Sequence, residues 1–396
     1  MSHSLTAATQ CAQAGKWSAV CQHLRQWLAI APVSPPDEER HALDLALLVL
    51  EWGDFQERWE VAKVLPRFGT GAIAPLLAIL SNGERELEER WFTGRILGEF
   101  PEPQVIDTLI DLLQTCADEE LCTVVAGALA QIGQPAIAAL THSLDQPTAR
   151  PIAVRSLAQI HHQAVIDPLL TVTQDADPII RKTAIEALSG FQDTRIGPVL
   201  QQAVRDPVAA VRREALMGLG LRVTQIGEQA VLATVCPCLE DWHLEVCQQA
   251  ALTLGRLGSP AAVAAIARVL ERTTTPAPLQ QDLIRALGWT ATPESLAVLQ
   301  ELLPRLSIGL GVEAIHIVGR IERESLRPAG ATLLLNYYRQ YHDRNLDYRL
   351  KQALTQAWGQ LGDPIAIDAL VQLMGDVDHR VRLHAIAALK RFDLPA

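Results

Sequence analysis

Apolar residues recur along this chain in stripes of helical spacing, and each stripe closes in the same way. A leucine or its equivalent is followed three residues later by a bulky apolar residue, often then by glycine. The pattern runs Leu65/Phe68-Gly69, Leu97/Phe100, Leu129/Ile132-Gly133, Leu157/Ile160, Leu188/Phe191, Leu254/Leu257-Gly258, Val318/Ile321, Trp358/Leu361-Gly362 and Leu389/Phe392. Leu219 and Leu287 fill the two gaps with weaker matches. From Leu65 to Leu389 the steps average roughly 32 residues, which is one helix-turn-helix per period. A single hairpin of this kind cannot bury its apolar faces, so the pattern predicts an all-α superhelix, a solenoid of about ten helical-hairpin repeats.

Punctuation supports the same elements. Ser259-Pro260, Thr292-Pro293 and Asp363-Pro364 each place an N-cap oxygen before a proline at the first helical position, where the missing N–H costs nothing. A second signature lies between paired stripes: Asp175-Ala176-Asp177-Pro178-Ile179-Ile180-Arg181, Asp206-Pro207-Val208-Ala209-Ala210-Val211-Arg212 and Asp376-Val377-Asp378-His379-Arg380-Val381-Arg382. The aspartates are expected to cap the following helix, and the arginine one turn in to reach a carboxylate of the neighbouring repeat, building a ladder.

Composition adds a little. Ala and Leu dominate while only 6 Phe and 4 Tyr occur, which suits helices. A formal net charge of −11 offers no field for nucleic acid or an anionic membrane surface, and favours a basic partner. Met1 to Gln10 lacks the pattern of a secretory signal, and the strongest apolar run, Leu43 to Leu50, is too short to span a bilayer. The expectation is a cytoplasmic chain without membrane insertion. Seven cysteines without an export signal argue against a disulfide framework.

The Asp-x-x-x-x-Val/Ile-Arg signature with its Leu-x-x-Phe/Ile-Gly ending resembles the HEAT repeat of the armadillo-type folds. The short period and Ala-rich helices resemble most the HEAT-like repeats of the phycobilisome lyase family of cyanobacteria, over roughly residues 55–393. Residues 1–54 differ and are read as an N-terminal helical cap. There Gly15-Lys16-Trp17, Val20, Leu24, Trp27 and Pro32 resemble half of a tetratricopeptide hairpin. Residues 55–396 are read as the repeat array, with an irregular longer repeat near 319–358. Five of the eight Trp lie in the first 91 residues, as an aromatic binding end or a capping core.

Chemistry is sparse. All four tyrosines fall in one window inside the longest repeat, and Tyr337, Tyr338, Tyr341, Arg344 and Tyr348 are the candidate partner-binding residues, of the types enriched at binding hot spots. The alternative is that these rings pack an overlong helix. Cys236-Pro237-Cys238 with Cys247 has C-x-C spacing, not the C-x-x-C of a zinc knuckle, and reads as small core residues; a metal or iron–sulfur assembly role is the minor alternative. Deoxyhypusine hydroxylases, a HEAT-like enzyme class, hold iron through His-Glu pairs, and no His here is followed by Glu. DNA glycosylases on such repeats need a basic groove, and the window from Arg320 to Lys351 has only a weak basic excess. No catalytic set and no cofactor are expected. The reading is a protein-binding scaffold; the resemblance implies a phycobiliprotein or other photosynthetic subunit as partner, with assembly or turnover as the role. The rival is a bilin lyase or lyase-isomerase attaching an open-chain tetrapyrrole to an antenna cysteine.

Overall fold

The computed structural model describes residues 3–30, 35–115, 118–341 and 346–392, and no strand occurs among them. Two compact units divide the chain, Met1–Phe191 and Gln192–Ala396.

The first unit is a row of hairpins. It runs α1 (His3–Gln13) with α2 (Trp17–Ile30), α3 (Pro36–Trp52) with α4 (Phe55–Ala62), and α5 (Ile73–Ser81) with α6 (Leu87–Leu97). It continues with α7 (Pro103–Thr115) and α8 (Glu119–Ile132), α9 (Ile137–Ser143) and α10 (Arg150–Gln159), then α11 (Ile166–Thr171) and α12 (Pro178–Leu188). Helices α2, α4, α6, α8, α10 and α12 pack side by side in one layer, and α5, α7 and α9 in the other. The apolar stripes meet between the layers, where Leu65, Leu97, Leu129, Leu157 and Leu188 are all fully buried.

The second unit repeats the plan. Helix α13 (Ile196–Ala203) pairs with α14 (Ala209–Gly220); a short α15 (Val223–Ile226) leads to α16 (Glu228–Val235), which precedes α17 (Leu244–Leu257). Then follow α18 (Pro260–Leu270) with α19 (Ala277–Thr290), and α20 (Pro293–Leu302) with α21 (Ile308–Gly319). The row ends with α22 (Arg327–Tyr341) and α23 (Tyr348–Leu361), then α24 (Ile367–Leu373) and α25 (His379–Leu389). Helices α14, α17, α19, α21, α23 and α25 form its close-packed layer. Small residues set that spacing: a Cβ on Gly255, Gly319 or Gly359 would lie 3.1, 2.7 or 3.1 Å from the Cα of Ala286, Ala357 or Ala388 on the next helix.

The caps fall where the sequence puts them. Ser259 accepts from the Ala262 N–H, Thr292 forms a capping box with Ser295, and the Asp177, Asp363 and Asp378 side chains each accept an N–H two residues on. Gly258 and Gly362 end α17 and α23 in the left-handed region, at φ 63° and 67°. The motif arginine does more than was expected of it. Nη1 of Arg181, Arg212 and Arg382 each folds back to donate to two carbonyls of its own turn. Steps of the ladder include Arg212 to Asp241, and also Arg150 to Asp175 and Lys351 to Asp376, outside the motif's own arginines. The reason is geometric: a planar fork one turn into a helix lies beside the preceding turn before it reaches the next repeat.

At the N-terminal end, buried Trp27 stacks on Phe68 with centroids 6.3 Å apart, and the Ser18 N–H and hydroxyl both donate to Glu57 Oε1. Among the described residues no single helix is long and apolar enough to cross a membrane.

Candidate binding site

Helices α4, α6 and α8 lie side by side in the first unit, and their outward side chains form an aromatic groove. Close approach comes first: a Cβ on Gly94 or Gly98 of α6 would lie 3.1 Å from Val124 Cγ1 or Ala128 Cα of α8. Trp91 and Arg95, one turn apart on α6, then stand between Trp59 of α4 and the small residues of α8. The Arg95 guanidinium lies 4.2 Å from the Trp59 ring centroid and 6.0 Å from that of Trp91. Phe55 continues the ladder, stacked on Trp59 at 6.5 Å and edge-on to Phe92 at 5.3 Å. Phe55 and Trp52 are more than half exposed.

Two hollows open along this face and share Arg95 and Gln131. One, of about 310 Å³, is lined by Trp59, Lys63, Pro66 and Glu99; the other, of about 620 Å³, by Trp91, Glu120, Thr123 and Val124. Gln131 Nε2 donates to Glu99 Oε1 at 2.6 Å. Arg95 meets no carboxylate among the described residues, so two indole faces hold its charge in place of an ion pair. Around it the charge is strongly negative: residues 51–120 carry 15 acidic and 6 basic side chains. The acidic excess of the whole chain falls in residues 1–191, with 24 acidic and 13 basic, against 21 of each in residues 192–396.

The tyrosine window lies in the second unit, and the structure separates its members. Tyr338 is buried, edge-on to Trp358 at 5.7 Å, and so belongs to the core between α22 and α23. Tyr337 is half-buried and packs on Tyr341 at 5.2 Å; burial pushes its phenol above the ordinary range. Tyr341 and Tyr348 share a hollow of about 600 Å³ with Ile308, Lys351, Asp376 and Val377. Arg380 lies 3.8 Å over the Tyr348 ring and donates to Asp378, holding that carboxyl well below the usual carboxylate range. Lys351 is paired with Asp376 at 2.7 Å. Arg344 lies outside the described residues.

Near Cys236, no metal site takes shape: among the described residues no group of three or more His, Cys, Asp or Glu side chains is placed to hold an ion. The Cys238 thiol donates to the Thr234 carbonyl and that of Cys247 to the Asp241 carbonyl. Burial pushes Cys21 and Cys238 up to about 11. At pH 8 only about one such thiol in a thousand is ionised. Titration of the folded chain with a disulfide reagent at pH 8 is therefore expected to leave Cys21 and Cys238 unmodified until denaturant is added, and fast labelling of either by peptide mapping would contradict this placement.

Stacked helical hairpins with an Asp-capped, Arg-clamped turn define an α-solenoid. A family profile described as HEAT repeats matches residues 73–152, 145–220, 197–278 and 232–307, more than half of the sequence, and the chain belongs to that family. Among solved structures it is similar to Kap121p bound to Pho4p, with TM-score 0.54 and 14% identity over 98% of this chain and 51% of that one. Importin beta is similar with TM-score 0.50 and 12% identity over 97% of this chain and 59% of that one. The chain thus spans about half the length of these karyopherin structures, and at such identity the likeness is one of fold. A search of the curated proteins finds no significant match.

Proposed function

We propose that this chain is a non-catalytic scaffold that holds a partner protein, and that the Trp59–Arg95–Trp91 groove is its main anchor site. The observation that carries the reading is a partly exposed aromatic ladder around a guanidinium that meets no carboxylate among the described residues, set in an acidic stretch of the chain. Trp, Tyr and Arg are the anchors of protein interfaces, and exposed aromatic patches rimmed by charge mark docking sites. The partner surface is then apolar at its centre and basic at its rim. Kap121p is a HEAT-like solenoid whose solved complex contains Pho4p, which is in keeping with a protein cargo here.

The finer reading follows the resemblance to phycobilisome lyase repeats: the partner is a phycobiliprotein or another photosynthetic subunit, and the role is assembly or turnover. Within this reading residues 1–54 cap the array of residues 55–396, supported by the Trp27–Phe68 stack and the Ser18–Glu57 bonds. Tyr337, Tyr341, Arg344 and Tyr348 supply a second contact surface, from which buried Tyr338 is dropped.

The test is affinity purification of the tagged chain from cells that express it, with an absorption spectrum of the eluate. A colourless eluate with a stoichiometric protein partner is expected. The Trp59→Ala, Trp91→Ala double variant should weaken that complex roughly 100- to 1,000-fold, since two aromatic anchors are lost at about 2 kcal/mol each. Undiminished binding by this variant would overturn the groove assignment. A bilin spectrum on the chain without antenna subunits would replace the scaffold reading with the lyase.

A further inference from the structure

In the close-packed layer of the second unit, the residue after each motif leucine, or its equivalent, meets the residue before the next one. A Cβ on Gly220, Gly255, Gly288 or Gly319 would lie within 3.2 Å of Thr253, Ala286, Ile317 or Ala357 on the following helix. Helices α14, α17, α19, α21 and α23 are therefore held in one register. The side chains two residues after the motif position form a row across them: Leu221, Arg256, Trp289, Arg320 and Gln360, all exposed. In the first unit, Gln131 and Glu99 occupy this same position and hydrogen-bond at 2.6 Å, so side chains of the row reach from one helix to the next.

Trp289 stands at the centre of the row, 56% exposed, with an arginine on the helix to either side. Neither Arg256 nor Arg320 meets a carboxylate among the described residues, and the row itself holds no Asp or Glu. Arg285, one turn before Trp289, is by contrast paired with Glu313 at 2.8 Å. The turn after Trp289 is strained and pinned. Ala291 ends α19 in the left-handed region at φ 41°, where α17 and α23 end in glycine, and Arg323 Nη1 donates to its carbonyl at 3.0 Å. Backbone strain of this kind collects at ligand clamps. The residues of this unit outside the described ones, 342–345 and 393–396, adjoin α22, α23 and α25 and not the three helices that carry Arg256, Trp289 and Arg320.

We propose that this row binds an extended acidic segment of a partner protein, with one apolar side chain lying on the Trp289 indole and a carboxylate to each side of it entering the Arg256 and Arg320 forks. Guanidinium forks match carboxylates in a bidentate fashion, and Trp and Arg are the usual anchors of such contacts. The spacing agrees. Helices in contact lie about 8–10 Å apart, so the two arginines start about 16–20 Å from each other. In an extended chain the residues two before and two after a given one share its face and span about 14 Å, and long side chains leaning towards Trp289 close the difference. A nucleic acid fits less well: residues 192–396 carry 21 acidic and 21 basic side chains, so no net field gathers a phosphate chain. The site is separate from the tryptophan groove of the first unit, whose acidic surroundings suit a basic rim, and does not rest on it.

The probe is a short labelled peptide with leucine at its centre, a glutamate two residues to either side and threonine spacers that favour the extended form, titrated against the full chain by fluorescence anisotropy at low salt. Binding is expected. It should weaken about tenfold or more when glutamine replaces both glutamates, and likewise in Trp289→Ala and in the Arg256→Gln, Arg320→Gln double variant. Trp242→Ala, at a position 99% exposed in the same unit, should leave it unchanged. All these substitutions are at exposed positions, so the fold is retained, and a matching thermal melt verifies it. Absence of binding, equal affinity for the glutamate and glutamine peptides, or full binding by Trp289→Ala overturns the proposal. So does single-stranded RNA that displaces the peptide and is itself lost in Trp289→Ala, which gives the row to a nucleic acid. A dimer mass in light scattering that Trp289→Ala returns to monomer gives it to a second copy and overturns the proposal as well.

Discussion

Trp358→Ala is expected to destabilise the second unit by about 3–5 kcal/mol, the usual cost of emptying a large buried aromatic site. Trp358 is fully buried on α23, with its indole N–H directed at the Ala331 carbonyl and its ring met edge-on by Tyr338, both from α22. Removal leaves a cavity between two helices, and α23 cannot slide in to fill it because Gly319 already brings α21 to closest approach against Ala357. Urea unfolding followed by circular dichroism should show the midpoint falling sharply. Trp242→Ala is the control: this side chain is 99% exposed, so the same chemical deletion should change stability by less than about 0.5 kcal/mol. Equal effects of the two would refute the packing described here.

That contrast also marks how far the sequence could be read. Trp358 belongs to the Leu-x-x-Phe/Ile-Gly ending that recurs through the chain, and a position repeated in every period must face the layer shared by every period. Helix starts at Pro260, Pro293 and Pro364 were legible for the same local reason, since capping depends on residues two or three apart. The groove was not legible. Trp59, Trp91 and Gln131 come from three successive hairpins, and only the spacing of α4, α6 and α8 makes them neighbours. The sole trace in the sequence was the crowding of five Trp into the first 91 residues, and that crowding turned out to hold two populations, with Trp27 in the core and Trp52 at the surface. The tyrosine window was conspicuous by composition, but which rings point outward depends on helix phase. Tyr337 and Tyr338 are adjacent in sequence and lie on different sides of α22, one half-buried against Tyr341 and one in the core.

Arg212→Met is expected to cost about 3–5 kcal/mol at neutral pH, because it breaks a largely buried ion pair from one side only. Burial alone would push the Asp241 carboxyl up; hydrogen bonds from Arg212 and from the His243 N–H outweigh it and hold the group below the ordinary carboxylate range. A depressed native value means that this stabilisation is fully present above the unfolded value, about 3.9, and is lost as pH falls through the lower native value. The deficit of the variant should therefore be largest near pH 7 and narrow below about pH 4, where thermal melts of both chains at the two pH values will show it. An unpaired Asp241 is the main source of the cost, so adding Asp241→Leu should recover part of it. Arg382→Met supplies the comparison, since Arg382 makes the same turn clamp and meets no carboxylate among the described residues. Its loss should cost only about 1 kcal/mol and show no such acid dependence. If both arginines behaved alike, the carboxylate step between hairpins would contribute nothing.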